Sequence, residues 1–143
     1  MTTQFKHILV GVDDSPDALL AFKYAIHQAS QGHAELDIVS VLENQAINVY
    51  QALTKDFIHG KREELERHIQ GYAHQAIAAG VHPVHTIVVE GEPGEAIVGD
   101  VIPQIHPDLL IVGSRAKKGV SRHFGSQAAY MAKYAPISVL VVR

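Results

Sequence analysis

Apolar residues along this chain fall into short β-branched runs separated by longer amphipathic stretches. The first run is Ile8, Leu9, Val10 and Val12 within "KHILVGVDD". Such a run predicts a strand buried on both faces of a parallel sheet. "SPDALLAFKYAIHQAS" follows directly and predicts a helix. Ser15 can N-cap it, Pro16 suits its first position and Asp17 favours its positive end. Leu19, Phe22, Ile26 and Ala29 share one helical face, and Gly32 is the expected stop.

The same alternation continues to the last residue. "AELDIVSVLE" predicts a second strand, and "NQAINVYQALT" has no period and reads as a loop. "KDFIHGKREELERHIQGYAHQAIAAG" keeps a helical period through Ile58, Leu65, Ile69, Tyr72, Ala76 and Ile77, with Gly80 as its stop. "VHTIVVEG" is the third expected strand. "EPGEAIVGDVI" is a shorter helix opened by Pro93, and Pro103 should kink or end it. "PDLLIVG" is the fourth strand. A helix from about Ser126 to Tyr134 then stops at Pro136, and "ISVLVV" is the fifth strand. Strand and helix alternating in this way predict a doubly wound α/β fold: one five-stranded parallel sheet with helices on both faces. Its ligand would bind at the carboxyl ends of the strands, near a switch in strand order.

Composition narrows the class. The chain has 143 residues, 47% of them apolar and 19% charged, which suits one globular domain spanning 1–143. There is no cysteine, so disulfides and thiolate chemistry are excluded. A net charge of −3 gives no global attraction to nucleic acid or an anionic membrane. No apolar run is long enough to span a bilayer, and the amino terminus lacks a secretory signal, so the cytoplasm is the expected compartment.

The candidate chemistry lies at the expected carboxyl ends. Asp13 and Asp14 end the first strand. A carboxylate there can accept from ribose hydroxyls or an adenine amino group, and equally can cap a turn. "GSRAKKGVSRHFGS", Gly113 to Ser126, joins the fourth strand to the last helix. Its glycines and basic residues before a helix start favour a phosphate cradle; the plainer alternative is a solvated surface connection. The loop has neither the Gly-Lys-Ser/Thr of a Walker A motif nor a dinucleotide fingerprint. The ten histidines have no metalloprotease spacing: His82 and His85 flank a proline, and His68 and His74 fall on different helical faces. No metal site is expected. "GKREELERH" reads as a solvated helix face.

These pieces resemble the universal stress protein family, the UspA-like domain. "HILVGVDDSPDALLAFKYAIHQA" resembles its opening strand and helix, with Asp13 at the Asp of "V-D-x-S". "VEGEPGEAIV" resembles its "G-x-P" segment. "DLLIVGSR" and "YAPISVLVVR" resemble its fourth strand and its closing "A-P-x-x-V-L-V-V". The resemblance implies strand order 3-2-1-4-5 and a cytoplasmic stress or signalling module that binds ATP, with or without Mg²⁺, and at most hydrolyses it slowly. It also implies a homodimer through the terminal strand.

Nucleotide-binding members carry Gly, two residues, Gly, nine residues, then Gly and Ser or Thr. By resemblance the first Gly is Gly113 and the final pair is Gly125 and Ser126. Ala116 replaces the second Gly, and eight residues separate it from Gly125, one fewer than in the pattern. Gly119 can supply freedom that Ala116 lacks, and Arg115, Lys117 and Lys118 add charge. The resemblance further implies that Asp13, beside Val12, and the backbone of Val41 meet adenine or ribose. Gly113 would lie near ribose and phosphates, and Gly125, Ser126 and Gln127 would hold phosphates. Ser114, Arg115, Ala116 and Gly119 join that implied binding set. Two alternatives remain: a UspA-like dimer that binds no nucleotide and acts through protein partners, and an adenylyl transferase. Against the second, "GVDDS" stands where an "H-x-G-H" signature would be.

Overall fold

A computed structural model describes residues 4–43, 55–114 and 125–143, without the side chains of 55–59. The elements are β1 (His7–Gly11), α1 (Pro16–Gly32), β2 (Glu35–Leu42), α2 (Lys55–Ala78) and β3 (Val84–Glu90). They continue through α3 (Pro93–Ala96), a π-helical turn (Ile97–Val101), α4 (Ile102–Ile105), β4 (Leu109–Gly113), α5 (Ser126–Tyr134) and β5 (Ser138–Val142). The five strands form one sheet in the order β3-β2-β1-β4-β5. Every pairing is parallel. β1 is central: one neighbour follows it directly and the other arrives from the far side, so the strand order switches between β1 and β4.

Alternation along the strands builds two apolar layers. Ile8, Val10, Leu36, Ile38 and Ile111 face α1 and α2 and pack with Phe22, Ile69 and Ala76. Leu9, Val39, Leu110 and Val112 face the other way and pack with Ile97, Val101, Ile102 and Met131. Ile8, Leu9 and Val10 are fully buried, which explains why the β1 run is continuously apolar.

Four local expectations are corrected. On α1 the buried stripe is Ala18, Ala21, Phe22, Ala25 and Ala29, while Leu19 is 43% exposed. Small side chains let the helix lie close on the sheet, and Leu19 falls outside that stripe. Ile77 is likewise outside the buried face of α2, at 53% exposure. His33, in the left-handed region at φ 52, ends α1; its N–H bonds the carbonyl of Ala29, and Gly32 is still helical. Pro103 does not end its helix, which runs on to Ile105. Pro clashes with a preceding helical carbonyl, and the wider π-helical turn just before it takes up that misfit. Gly80, at φ +95, does lie just past the end of α2. No described helix is long and apolar enough to cross a membrane.

Candidate functional site

A cavity of about 340 Å³ opens at the carboxyl ends of β1, β2 and β4, where the strand order switches. Its walls come from four segments: Gly11 to Asp13 with Ser15, Val39 with Val41, Gly113 with Ser114, and Gly125 to Ala128. Glu92 and Pro93 close it from the β3–α3 connection, and Glu43 stands at its rim.

The first wall is set by a chain of local hydrogen bonds. Asp13 Oδ1 accepts from the Ser15 amide at 3.0 Å and from the Ser15 hydroxyl at 2.6 Å. Ser15 Oγ in turn accepts from the amide of Ala18 at 3.2 Å, so Ser15 is the N-cap of α1, as its position before Pro16 predicts. Burial pushes the Asp13 carboxyl above its ordinary range. The Ser15 bonds pull it back, and the charges of Asp14 and Asp17 push it up again.

Asp14 occupies the left-handed region at φ 64, which turns its carboxylate toward α2. There it bonds with His68 Nε2 at 2.8–2.9 Å and accepts from the Tyr72 hydroxyl. Desolvation opposes its charge, but the His68 and Tyr72 bonds and the His68 charge outweigh that and hold its carboxyl below the ordinary range. Burial, then Asp14, pushes the Tyr72 hydroxyl up. Tyr72 also meets Phe22 edge-on at 4.9 Å. The sequence placed Tyr72 in the core and His68 at the surface; the bridge from α2 to the β1–α1 turn had no signal in the pattern.

Gly113 lines the β4 wall and has a packing role there as well. A Cβ on Gly113 would lie 2.7 Å from the backbone of Asp17 and Ala18. The glycine is therefore needed for close packing of β4 on the start of α1, whatever else approaches it. The Ser114 hydroxyl, implied as a ligand group, donates to Asp17 Oδ2 at 2.6 Å and is buried. Its carbonyl accepts from the Gly125 amide at 2.7 Å. That bond pinches together the two ends of the glycine-rich segment.

Gly125 is the N-cap of α5 at φ −66 and ψ 146, so it is not in the left-handed region. α5 has no side-chain cap bond. The first amides of α5, at Ser126, Gln127 and Ala128, belong to residues that line the cavity, and a helix leaves such groups without intrahelical partners. The Gln127 side chain is committed elsewhere: Oε1 accepts from the Gly94 amide at 2.8 Å, and Nε2 donates to Glu92 at 3.4 Å. It buttons the β3–α3 connection to the start of α5. Gly94 permits this, because a Cβ there would stand 2.8 Å from Tyr130 and 3.0 Å from Gln127.

Of the residues expected in the site, Val12, Asp13, Val41, Gly113, Ser114, Gly125, Ser126 and Gln127 all line this one cavity. Arg115, Ala116 and Gly119, with Lys117 and Lys118, lie outside the described residues. Glu43, at the carboxyl end of the second strand, also lines it, as do Glu92, Pro93, Ile97 and Met131, and these last four were not foreseen. Only "G-x-P" hinted at the β3–α3 connection. The histidines are distributed differently: His7 Nε2 and His85 Nδ1 bond opposite oxygens of buried Asp37, at 2.6 and 3.0 Å. That cluster belongs to β1, β2 and β3 at their amino-terminal ends.

Comparison with known proteins gives a consistent picture. The universal stress protein family model matches residues 4–143. A protein carried under the universal stress protein name in Staphylococcus aureus strain USA300 is 32% identical over 140 residues, covering 97% of this chain and 84% of that relative. UspA from Lactobacillus plantarum superposes with a TM-score of 0.86 at 21% identity, covering 99% of this chain and 100% of that one. The universal stress protein of Archaeoglobus fulgidus, solved in complex with dAMP, superposes with a TM-score of 0.68 at 19% identity, covering 96% and 98%.

Proposed function

The chain belongs to the universal stress protein family, and from that premise we propose that it binds an adenine nucleotide, ATP foremost, in the 340 Å³ cavity at the switch point. One observation carries the reading. The cavity joins an apolar floor, Val39, Val41 and Met131, to the amide-rich start of α5. The floor suits a flat heterocycle, and a helix start suits phosphate. Asp13 lines the same cavity and can accept from ribose or adenine. The A. fulgidus relative, with the same fold, holds dAMP.

Charge refines the proposal. Asp13, Glu43 and Glu92 line the cavity, and no Lys or Arg among the described residues does. A triphosphate therefore needs positive charge from Mg²⁺ or from the basic residues between Ser114 and Gly125. Hydrolysis is expected to be slow. Asp13 is held by Ser15 and Glu92 meets Gln127, and no described bond aims either carboxylate at an attacking water. In this reading the protein is a cytoplasmic, nucleotide-responsive stress module, and 1–143 is a single domain.

Calorimetric titration with ATP and adenosine tests the proposal. Wild type should prefer ATP clearly. Ser126→Ala should weaken ATP by about 0.5–1.5 kcal/mol, and Gly125→Val should abolish the preference by crowding the backbone approach. Equal binding of both ligands, or of neither, would overturn it. The second reading, a dimeric module acting through protein partners without nucleotide, draws on a specific observation: Gly113, Ser114 and the Gln127 side chain are all engaged in internal packing.

A homodimer through β5 is part of the same proposal. β5 is an edge strand paired with β4 alone, and Leu140 on it is 42% exposed. An apolar edge with free main-chain groups is a template for a second chain.

A further inference from the structure

We propose that Tyr72 and His68 of α2 are positioning residues for Asp13 in the larger cavity, and that they act through Asp14. This deepens the nucleotide reading and rests on it. None of the described residues of α2 lines that cavity, and neither does Asp14. The link is made one step behind the wall.

The backbone of Asp14 is the observation that points there. Asp14, His33 and His106 are the non-glycine residues with positive φ among the described ones. His33 and His106 end helices, where the left-handed region is common. Asp14 ends no helix and stands between β1 and α1. It lies inside the turn that Asp13 closes by accepting the Ser15 amide, two residues on, at 3.0 Å. The φ of 64 at that corner turns the chain back, so the Asp14 backbone and the place of the Asp13 carboxylate are one geometry. Residues other than glycine adopt this conformation uncommonly, and it persists where the surroundings hold it.

α2 supplies the hold. Asp14 meets His68 Nε2 with both oxygens, at 2.9 and 2.8 Å, and its Oδ1 also accepts from the Tyr72 hydroxyl. Tyr72 is firmly seated: it is buried, edge-on to Phe22 of α1 at 4.9 Å and to His68 at 5.7 Å. Its hydroxyl therefore reaches Asp14 from a fixed place. The two Ser15 bonds to Asp13 both fall on Oδ1, so among the described residues Oδ2 is left for a ribose or adenine donor. Its direction follows from the turn that the bridge fixes.

Hydrogen exchange of the Ser15 amide, in the ligand-free full chain, reads the position of Asp13. Calorimetry with adenosine and ATP reads its consequence. The variants are Tyr72→Phe combined with His68→Ala, Asp14→Val, and Asp14→Asn. Val resists positive φ, whereas Asn tolerates it and can still accept from Tyr72. Val81→Ala is the stability control, because Val81 is buried in the same core and lines neither the cavity nor the bridge. The double variant and Asp14→Val should speed Ser15 exchange and weaken adenosine about three- to ten-fold. The ratio of ATP to adenosine affinity should stay at the wild-type value, because the start of α5 is untouched. Asp14→Asn and Val81→Ala should remain near wild type in both measurements. Unchanged Ser15 exchange or unchanged adenosine affinity in the double variant would overturn the proposal. So would a shifted affinity ratio, or the same losses in Val81→Ala. If wild type binds neither ligand, the nucleotide reading falls, and the Ser15 amide alone still decides whether α2 holds Asp13.

Discussion

Ser114 donates its hydroxyl to Asp17 Oδ2 at 2.6 Å, tying the end of β4 to the first turn of α1 across 97 residues. Both residues are buried, at 4% and 7% exposure. Hydrogen bonds to charged acceptors contribute about 1.5–3 kcal/mol. Ser114→Ala should therefore lower stability by about that amount, read by urea denaturation. A change below a few tenths would mean that Asp17 is fully served by its other interaction.

Gly113 and Gly11 make a matched pair. A Cβ on Gly113 would stand 2.7 Å from α1 backbone, whereas one on Gly11 would meet the Val112 side chain at 3.4 Å. Backbone cannot step aside as a side chain can. Gly113→Ala should cost about 1–3 kcal/mol as overpacking, and Gly11→Ala far less. Thermal melts of the two variants compare them directly; equal losses would remove the steric account of Gly113.

Asp13 carries a stability cost at neutral pH. Its carboxyl is pushed above the ordinary range in the folded state, first by burial. The folded protein then binds this proton more tightly than the unfolded chain. Stability from this group is complete below the unfolded value, about 3.9, and is lost as pH rises through the folded value. Asp13→Asn, which can still accept from Ser15, should raise the melting temperature at pH 7 and give no gain at pH 3. A gain of equal size at both pH values would exclude the charge as its source.

Asp14 behaves oppositely. Desolvation raises its carboxyl, but the bonds from His68 and Tyr72 and the His68 charge hold it below the ordinary range. Its contribution is present above the unfolded value and is lost as pH falls through the folded one. Tyr72→Phe and Asp14→Asn should each flatten the acid side of the stability–pH curve. A wild-type acid limb in both variants would refute the bridge from α2 to the β1–α1 turn.

Continuous apolar runs made β1 and β4 legible from sequence, because strands buried on both sides leave no room for polar residues. The same period-counting placed Leu19 and Ile77 wrongly, since one face of a helix can be chosen by small residues that score weakly as apolar. The π-helical turn before Pro103 left no trace, because side-chain pattern does not record which carbonyl an amide finds. At the site, glycine flagged Gly113 and Gly125 as special, but not why. One accommodates α1, and the other caps α5 at φ −66. Gln127 bonding Gly94, and Tyr72 bonding Asp14, join positions far apart in the chain. Only the topology brings those pairs together.

The geometry of β5 gives a clean test of the proposed dimer. Val142 O accepts from the Ser114 amide at 2.8 Å, so the main-chain groups of Val142 point toward β4. Alternation along the strand then points those of Val141 toward the open edge. Proline at 141 removes one edge donor without touching the β4 ladder. Val141→Pro should leave the monomer folded, with a melting temperature near wild type at high dilution, and should weaken self-association. Sedimentation equilibrium at low micromolar concentration measures this. Leu140→Lys is the companion variant, since it places charge on the 42% exposed apolar side chain beside that edge. If wild type is dimeric and both variants remain fully so, the copies must join elsewhere. If wild type is itself monomeric at that concentration, the edge is not used between copies of this chain.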